Sequence, residues 1–295
     1  MLEIKKFAAI DIGSNAIRLL ITMVVKNGSD YEFKKVSLVR LPIRLGQEAF
    51  THHSILPETV SKFKEGIRAF KIIMNIHEVL DYMAVATSAM REALNGDLLV
   101  KQVRNELGID IQIIDGKFEA EIIFKAHFRN SMYSDNNFVY VDVGGGSTEI
   151  TILSGTEIRA SKSFKIGTIR MLNEMVTKDL WKEMKDWVED QTKTLAHIEM
   201  IGSGGNINKI YKLMDAEYPK PVLYHELEAI KEVLEKMSYD QRIKTFQLNP
   251  DRADVIIPAL DVYYSVMKWA NSGILHVPKI GLSDGIIQLL HQRNN

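Results

Sequence analysis

The chain has 295 residues, of which 46% are hydrophobic and 25% are charged, and its formal net charge is −1 at pH 7. This length and composition are typical of a globular protein with enough chain for two domains, and the charge gives no overall basic field for a nucleic acid polymer or an anionic membrane. The cysteine count is zero, which excludes disulfides, thiolate zinc sites and cysteine-nucleophile enzymes.

Hydrophobic periodicity and turn residues predict strands and helices mixed along the whole chain. Apolar runs predict strands over residues 7–12, 17–25, 31–41, 82–86 and 109–115, a strand hairpin over 139–153, a strand beginning at 199 and a short strand within 274–279. Apolar spacing of three and four predicts helices over residues 56–80, 88–94, 96–107, 119–133 and 178–198, one ending at 214 and mostly helical structure after 222. This mixture predicts the α/β class.

Two segments, "FAAIDIGSNAIRLLI" and "VYVDVGGGSTEITIL", share one order of features. Each has an apolar strand, an aspartate, one residue, a glycine, a small polar turn and a second apolar strand. The aspartates, Asp11 and Asp142, lie about one domain length apart. The repeat predicts a duplicated α/β domain with a cleft between the copies.

The two predicted turns have the chemistry of a phosphate site. Glycines let successive backbone N–H groups converge on a phosphate, hydroxyl and amide side chains add donors, and carboxylates are ligands that Mg²⁺ prefers. The residues concerned are Asp11, Gly13, Ser14 and Asn15 in the first hairpin and Asp142, Gly144, Gly145, Gly146, Ser147, Thr148 and Glu149 in the second. A Walker A or Rossmann loop would open a helix, whereas these turns open a strand. The alternative is a glycine-rich hairpin with a solvated acid at each end.

These hairpins, together with further segments in order along the chain, resemble the exopolyphosphatase/guanosine pentaphosphate phosphatase (Ppx/GppA) family of the actin-like ATPase superfamily. The further segments are "IRLGQ" (43–47), "VATSAMREALNG" (85–96), "IIDGKFEAEIIFKA" (113–126), "SFKIGTIRM" (163–171), "IGSGGN" (201–206) and "PDRADVIIPA" (250–259). The resemblance implies two actin-like (ribonuclease H-like) α/β domains with an interdomain cleft, over residues 1–125 and 126–283, with a final helix at 284–295 packing back on the first.

The resemblance also implies residue roles. Glu119 would be the general base and Arg91 a phosphate clamp, while Arg18, Gly204 and Gly205 would join the turn residues in binding phosphate. Asp11, Asp142 and Glu149 would hold Mg²⁺ or Mn²⁺. Three of these roles have a simpler alternative. Arg91 would be a solvated residue in the first turn of a helix that Thr87 or Ser88 caps, Glu119 an acid favoured by a helix dipole, and the turn with Gly204 and Gly205 purely structural.

Three positions depart from the family pattern. Phe118 stands where the family has the first of two adjacent glutamates, Asn206 where it has threonine, and Ala259 where it has glycine. Asn206 weakens the assignment of the turn before it to phosphate binding. Phe118 removes a negative charge that the family carries beside Glu119, which leaves Glu119 as the sole candidate for the general base in that segment.

The expected activity is release of terminal orthophosphate from a linear phosphoanhydride, either short-chain polyphosphate or the 5′-γ-phosphate of guanosine pentaphosphate. Short substrates are expected because the chain resembles the two-domain form of the family and has only a local basic patch, with Arg18, Arg44, Arg91, Lys165 and Arg170 as candidates. A non-catalytic or kinase-like nucleotide-binding protein is the alternative. A soluble, cytoplasmic protein is expected, because Asp11 interrupts the first apolar run and no stretch approaches the roughly 20 residues that span a bilayer; a homodimer is left open.

Overall fold

The computed structural model describes residues 3–28, 30–128, 136–155 and 157–295, with the backbone alone at 124–128. The elements in chain order are β1 (Ile4–Ile12), β2 (Ile17–Asn27), β3 (Asp30–Leu41), α1 (Leu45–Thr51), α2 (Pro57–Ile76), β4 (Asp81–Ala86), α3 (Ser88–Glu92), α4 (Gly96–Leu107), β5 (Ile111–Ile113), α5 (Gly116–Phe128), β6 (Asn137–Val143), β7 (Thr148–Ser154), β8 (Glu157–Phe164), α6 (Thr168–Leu172), α7 (Lys178–Thr192), β9 (Ile198–Ser203), α8 (Gly205–Leu213), β10 (Val222–Leu223), α9 (Tyr224–Glu235), α10 (Tyr239–Phe246), α11 (Pro250–Ala253), α12 (Ile256–Trp269), β11 (Ile274–His276) and α13 (Leu282–Arg293). The predicted α/β class is confirmed.

The chain divides into two compact units: unit 1 comprises Met1–Ala126 and Gly281–Asn295, and unit 2 comprises His127–Ile280. Sequence reasoning places these boundaries after residues 125 and 283. Among the described residues, no helix is both long enough and apolar enough to cross a bilayer.

Unit 1 is built on a five-stranded sheet with the order β3-β2-β1-β4-β5. The first three strands are antiparallel neighbours, whereas β1, β4 and β5 run parallel. The inner strand β1 is buried over its last six residues, which matches the apolar run "FAAIDI". The last helix, α13, packs on β1, β2 and β4. Gly285 permits a close approach of α13 to α5, because an added Cβ would lie 2.6 Å from the Ile122 carbonyl oxygen.

Unit 2 is built on a six-stranded sheet with the order β10-β11-β9-β6-β7-β8. The strands β6, β9 and β11 run parallel, and β7 and β8 extend the sheet as antiparallel neighbours. The helix α12 packs in the core of unit 2, with Ala259, Leu260 and Val262 fully buried. Ala259, one of the departures from the family pattern, is therefore a core residue.

Several element boundaries differ from the sequence predictions. The helix predicted over 56–80 ends at Ile76, where Glu78 adopts a φ of 54°, and the helix predicted over 178–198 ends at Thr192 before His197 with a φ of 52°. A helix cannot continue through the left-handed region. The strand predicted over 109–115 is shorter, and α1, β8 and α6 were not predicted. The last part of the helix predicted over 119–133 lies outside the described residues.

Candidate functional site

The predicted residues of unit 1 lie at one edge of its sheet. The strands β1, β4 and β5 are parallel neighbours, so their carboxyl ends meet at the same edge. Asp11 lies at the end of β1, Arg91 in the helix that follows β4, and Glu119 in the helix that follows β5. The carboxyl edge of an open parallel sheet is where ligands usually bind in α/β proteins.

The first hairpin turn is a closed four-residue loop between Ile12 and Ile17. The Gly13 N–H donates to the Ala16 carbonyl at 3.2 Å. Asp11 is paired in register with Arg18 on the next strand, and an Arg18 guanidinium nitrogen lies 3.1 Å from Asp11 Oδ2. Burial raises the pKa of the Asp11 carboxyl, while the charge and hydrogen bond of Arg18 oppose that shift. Asp11 thus faces a cation of its own chain.

The same turn is tied to the helix that carries Arg91. Ser14 Oγ lies 2.9 Å from Ser88 Oγ inside the protein, and the Thr87 N–H donates to the Ile12 carbonyl at 3.1 Å. The Ser14 carbonyl accepts from the Gly46 N–H at 2.8 Å, and the approach is so close that a Cβ on Gly46 would lie 2.7 Å from Ser14 Cβ. Glycine in the "IRLGQ" segment is therefore required by packing against this turn.

Arg91 is exposed in the last turn of α3, and not in the first turn as predicted. Thr87 is the N-cap residue of α3, but its side chain accepts no capping hydrogen bond. Arg91 Nη1 donates to the Ile114 carbonyl at 2.5 Å, and the Ile114 N–H donates to the Ala86 carbonyl at 2.9 Å. This bond anchors one guanidinium nitrogen at the end of β5, immediately before the helix that carries Glu119.

Glu119 lies half-buried in the first turn of α5. Asp115 caps this turn, because Asp115 Oδ1 accepts from the Phe118 N–H at 2.7 Å and the Asp115 carbonyl accepts from the Glu119 N–H at 3.0 Å. Phe118 is 40% exposed. The cap fixes the backbone from which the Glu119 carboxylate projects.

The second hairpin turn, in unit 2, repeats the backbone of the first. It is again a four-residue loop, between Val143 and Thr148, and the Gly144 N–H donates to the Ser147 carbonyl at 2.9 Å. The charges differ, however, because Asp142 is paired in register with Glu149, so that two carboxylates share one face of the hairpin. Glu149 is 3% exposed, and its Oε1 accepts from Ser163 Oγ at 2.8 Å.

The third glycine turn of the sequence adjoins Asp142. Ser203 at the end of β9 is paired in register with Asp142, and Gly204 follows with a φ of 108°. A Cβ on Gly204 would lie 2.8 Å from Asp142 Oδ1, so glycine is required there both by conformation and by space. Gly205 then begins α8. The structure thus brings Gly204 and the carboxylate of the second hairpin together.

The segment after β8 packs against the carbonyl groups of the second hairpin turn. The N–H groups of Thr168 and Ile169 donate to the carbonyls of Gly144 and Gly145 at 3.0 and 2.8 Å. A Cβ on Gly167 would lie 2.4 Å from the Gly146 carbonyl carbon. These contacts occupy the carbonyl side of the turn and fix its backbone.

Arg170 and Lys165, both predicted in a basic patch, differ in their surroundings. Arg170 is 7% exposed and its Nε donates to the Gly146 carbonyl at 2.7 Å, so it stabilises the turn from within the protein. Lys165 is exposed.

Tyr263 is a site residue that sequence reasoning missed. It lies on α12, fully buried, and its hydroxyl donates to the Ser203 carbonyl and accepts from the Val143 N–H at 3.3 Å. Burial, and after it the charge of Asp142, raise the pKa of Tyr263 well above its usual value. The neutral phenol therefore joins the strand ends that carry two of the three glycine turns. A tyrosine in an apolar helix carries no signal of this role before the fold is known.

The carboxylates of unit 2 fit a hard divalent cation. Asp142 and Glu149 supply oxygen donors from one face of a hairpin, which is the donor type that Mg²⁺ and Mn²⁺ take. Within the part of the chain that the structure describes, no three His, Asp or Glu side chains are grouped as a complete metal site. Magnesium commonly uses one or two carboxylates and completes its shell with water and substrate phosphate, so the pair fits that pattern.

Comparison with known proteins agrees with this geometry. The model of the Ppx/GppA phosphatase family matches residues 23–293. Exopolyphosphatase 2 of Mycobacterium tuberculosis is 31% identical over 183 residues, which cover 60% of this chain and 57% of that protein. A guanosine-5′-triphosphate,3′-diphosphate pyrophosphatase of Vibrio vulnificus is 23% identical over 296 residues, which cover 96% of this chain and 57% of that protein.

The solved structures give the fold. An exopolyphosphatase from Cytophaga hutchinsonii superposes with a TM-score of 0.85 at 22% identity, covering 98% of each chain. The chain spans between 41% and 58% of the length of the curated relatives that it matches. Since the family model covers nearly the whole sequence and the fold is the actin-like one, the chain belongs to the Ppx/GppA phosphatase family.

Proposed function

We propose that this protein releases terminal orthophosphate from linear phosphoanhydrides, either short-chain polyphosphate or the 5′-γ-phosphate of guanosine pentaphosphate. One observation carries the proposal: the same turn recurs in both units, two residues after a carboxylate, closed by the Gly13 bond to Ala16 in one and by the Gly144 bond to Ser147 in the other. Turns of this kind present backbone N–H groups to phosphate oxygens. The family and its exopolyphosphatase and guanosine-phosphate relatives support the reaction class.

Phosphoanhydride hydrolysis needs a positioned water, neutralised charge on the transferred group and a held leaving group. In our proposal the phosphate contacts come from the N–H groups and side chains of the first and second turns, with Arg18 and the third turn (Gly204 and Gly205) as further contacts. Asp142 and Glu149 would hold Mg²⁺ or Mn²⁺, with Asp11 as a third candidate ligand. When bound, the cation supplies positive charge at the phosphoryl oxygens.

Glu119 is the proposed general base, which orients the attacking water and takes its proton. Its backbone position is fixed by the Asp115 cap. Arg91 is the proposed phosphate clamp, because the hydrogen bond from its Nη1 to the Ile114 carbonyl orients the remaining donors of the planar guanidinium. This assignment separates proton transfer from charge neutralisation, since each task falls to a different side chain.

The test is phosphate release from tripolyphosphate, guanosine pentaphosphate and ATP, with Mg²⁺ and with EDTA. We expect release from at least one of the first two, and its loss in EDTA. Glu119→Gln should lower kcat by about 10²- to 10⁴-fold while retaining substrate binding. Glu121→Gln is the matched control, because it makes the same change two residues further along α5, on another side of the helix.

Two results would contradict the proposal. If Glu119→Gln keeps more than about a tenth of the wild-type kcat, Glu119 is not the base. If the wild type binds nucleotide but releases no phosphate from any substrate, the alternative of a non-catalytic nucleotide-binding protein is the better description.

A further inference from the structure

The helix α8 carries positive charge on the face that continues from the third glycine turn. Gly205, Lys209 and Lys212 are spaced four and three residues apart, which places them on one side of the helix. The three positions span about 10 Å along the axis. Because Gly204 adjoins Asp142 Oδ1, this face starts beside a carboxylate of the second hairpin and leads away from it.

The charge on this face lacks local compensation. The sequence of α8, "GNINKIYKL", contains no acidic residue, and among the described residues neither Lys209 nor Lys212 forms an ion pair, unlike several other lysines of unit 2. Lys182, Lys185 and Lys236, for example, each pair with an acid four positions away.

The neighbours of Lys209 add charge of the same sign. Burial lowers the pKa of Lys209, and the charges of Lys212 and Arg252 lower it further. Arg252 Nη1 donates to the Gly205 carbonyl and so lies close to the start of the helix. Lys209 and Arg252 are half-buried and Lys212 is exposed. Cations that repel one another in this way are stabilised when an anion binds between them.

We propose that Lys209 and Lys212 bind the phosphate groups of the substrate that are not transferred. This inference rests on the proposed function and deepens it. The two lysines form a strip along α8, called the lysine strip, that would distinguish long polyphosphate or guanosine pentaphosphate from tripolyphosphate or GTP. The ligand chemistry is a phosphate or diphosphate group remote from the scissile bond. It can come from the inner part of a polyphosphate chain or from the 3′-diphosphate of guanosine pentaphosphate.

The experiment compares binding and turnover in Lys209→Gln/Lys212→Gln with those in Lys193→Gln/Lys268→Gln. The second double variant removes the same charge near a cavity lined by Lys193 and Trp269, beside Ile198 at the opposite end of β9 from the glycine turn. Each double variant is tested with tripolyphosphate, polyphosphate of several tens of phosphates, GTP and guanosine pentaphosphate. Binding is measured by calorimetry in the Glu119→Gln background, so that it does not depend on turnover.

We expect the Kd of the site variant to rise roughly five- to thirtyfold for the substrate that reaches the strip. A rise for long polyphosphate but not for tripolyphosphate identifies the inner phosphates as the ligand. A rise for guanosine pentaphosphate but not for GTP identifies the 3′-diphosphate. Lys209→Arg/Lys212→Arg should restore most of the affinity because it restores the charge, which a merely structural role of the lysines would not predict.

The inference is overturned if the two double variants change every Kd equally, even when the wild type hydrolyses the substrates as proposed. Conversely, lysine-dependent binding without any phosphate release by the wild type supports the strip and rejects the proposed reaction. The two failures are therefore distinguishable.

Discussion

The buried hydroxyl of Tyr263 tests how unit 2 holds its glycine turns. Tyr263→Phe keeps the ring in the core and removes only the hydroxyl, which leaves the Val143 N–H and the Ser203 carbonyl without this partner. An unmet buried donor or acceptor costs about 1–3 kcal/mol. Because the bond to Val143 is long, at 3.3 Å, we expect a loss of about 2–4 kcal/mol in the free energy of unfolding for the two groups together.

The assay is urea unfolding combined with phosphate release. Tyr264→Phe is the matched control, since that neighbouring hydroxyl donates to Glu228 and not to a strand end. We expect both variants to lose stability, but only Tyr263→Phe to lower kcat/KM, because only that change releases the ends of β6 and β9. A loss below about 1 kcal/mol, or an equal kcat/KM in the two variants, would refute this account of Tyr263.

Other variants test the hairpins separately. Gly167→Ala places a Cβ 2.4 Å from the Gly146 carbonyl carbon, so the turn must move and phosphate release should fall at least about tenfold; Gly273→Ala, where no atom lies within 4 Å, should leave melting temperature and rate unchanged. Burial raises the pKa of the Asp11 carboxyl in the folded protein. The carboxyl therefore contributes stability that is fully present below its pKa in the unfolded chain and is lost as the pH rises through its pKa in the folded protein. In Asp11→Asn, the free energy of unfolding should therefore fall less between acid and neutral pH than it does in the wild type, and turnover should be lower. A variant clearly less stable than the wild type at neutral pH would contradict the predicted direction of this pH dependence. Glu149→Gln should raise the Mg²⁺ concentration needed for half-maximal rate, measured by metal titration of the EDTA-treated protein, and an unchanged requirement would remove Glu149 from the cation site.

The parts of the fold that could be predicted are those whose signal is local. The hairpins around Asp11 and Asp142 consist of short apolar runs that are buried in the structure and separated by glycine turns. Both the apolar runs and the turns predict strands and not helices. Family motifs then placed Arg91 and Glu119 after two further strands. The parallel order of those strands explains why residues distant in sequence lie at one edge of unit 1.

The missed elements are short or lie at an edge. The helices α1 and α6 have seven and five residues, which is too few for a repeating apolar face. The strand β8 is an outer strand whose sequence, "EIRASKSF", is largely polar and exposed, so its pairing with β7 decides its conformation. In each case tertiary contacts and not local preference determine the structure.

Other features of the site depend on contacts that no local pattern contains. Tyr263 reaches Val143 across 120 positions of sequence, and Arg170 forms its bond to Gly146 only because α6 folds back over the second turn. A glycine such as Gly167 is indistinguishable in sequence from one that merely ends a strand. These residues are recognised by the atoms they meet, and those are known only once the sheet order is known.

The two hairpins share a backbone but differ at the cross-strand position that faces the aspartate. In unit 1 this position is Arg18, which lies 3.1 Å from Asp11 and balances its charge. In unit 2 it is Glu149, so Asp142 gains a second negative charge on the same face. An arginine beside a carboxylate competes with a cation for it, whereas a second carboxylate adds to the attraction. The duplicated hairpin is therefore suited to a divalent cation in unit 2, while in unit 1 the internally balanced pair leaves the turn N–H groups and the remaining donors of Arg18 as the groups suited to phosphate oxygens.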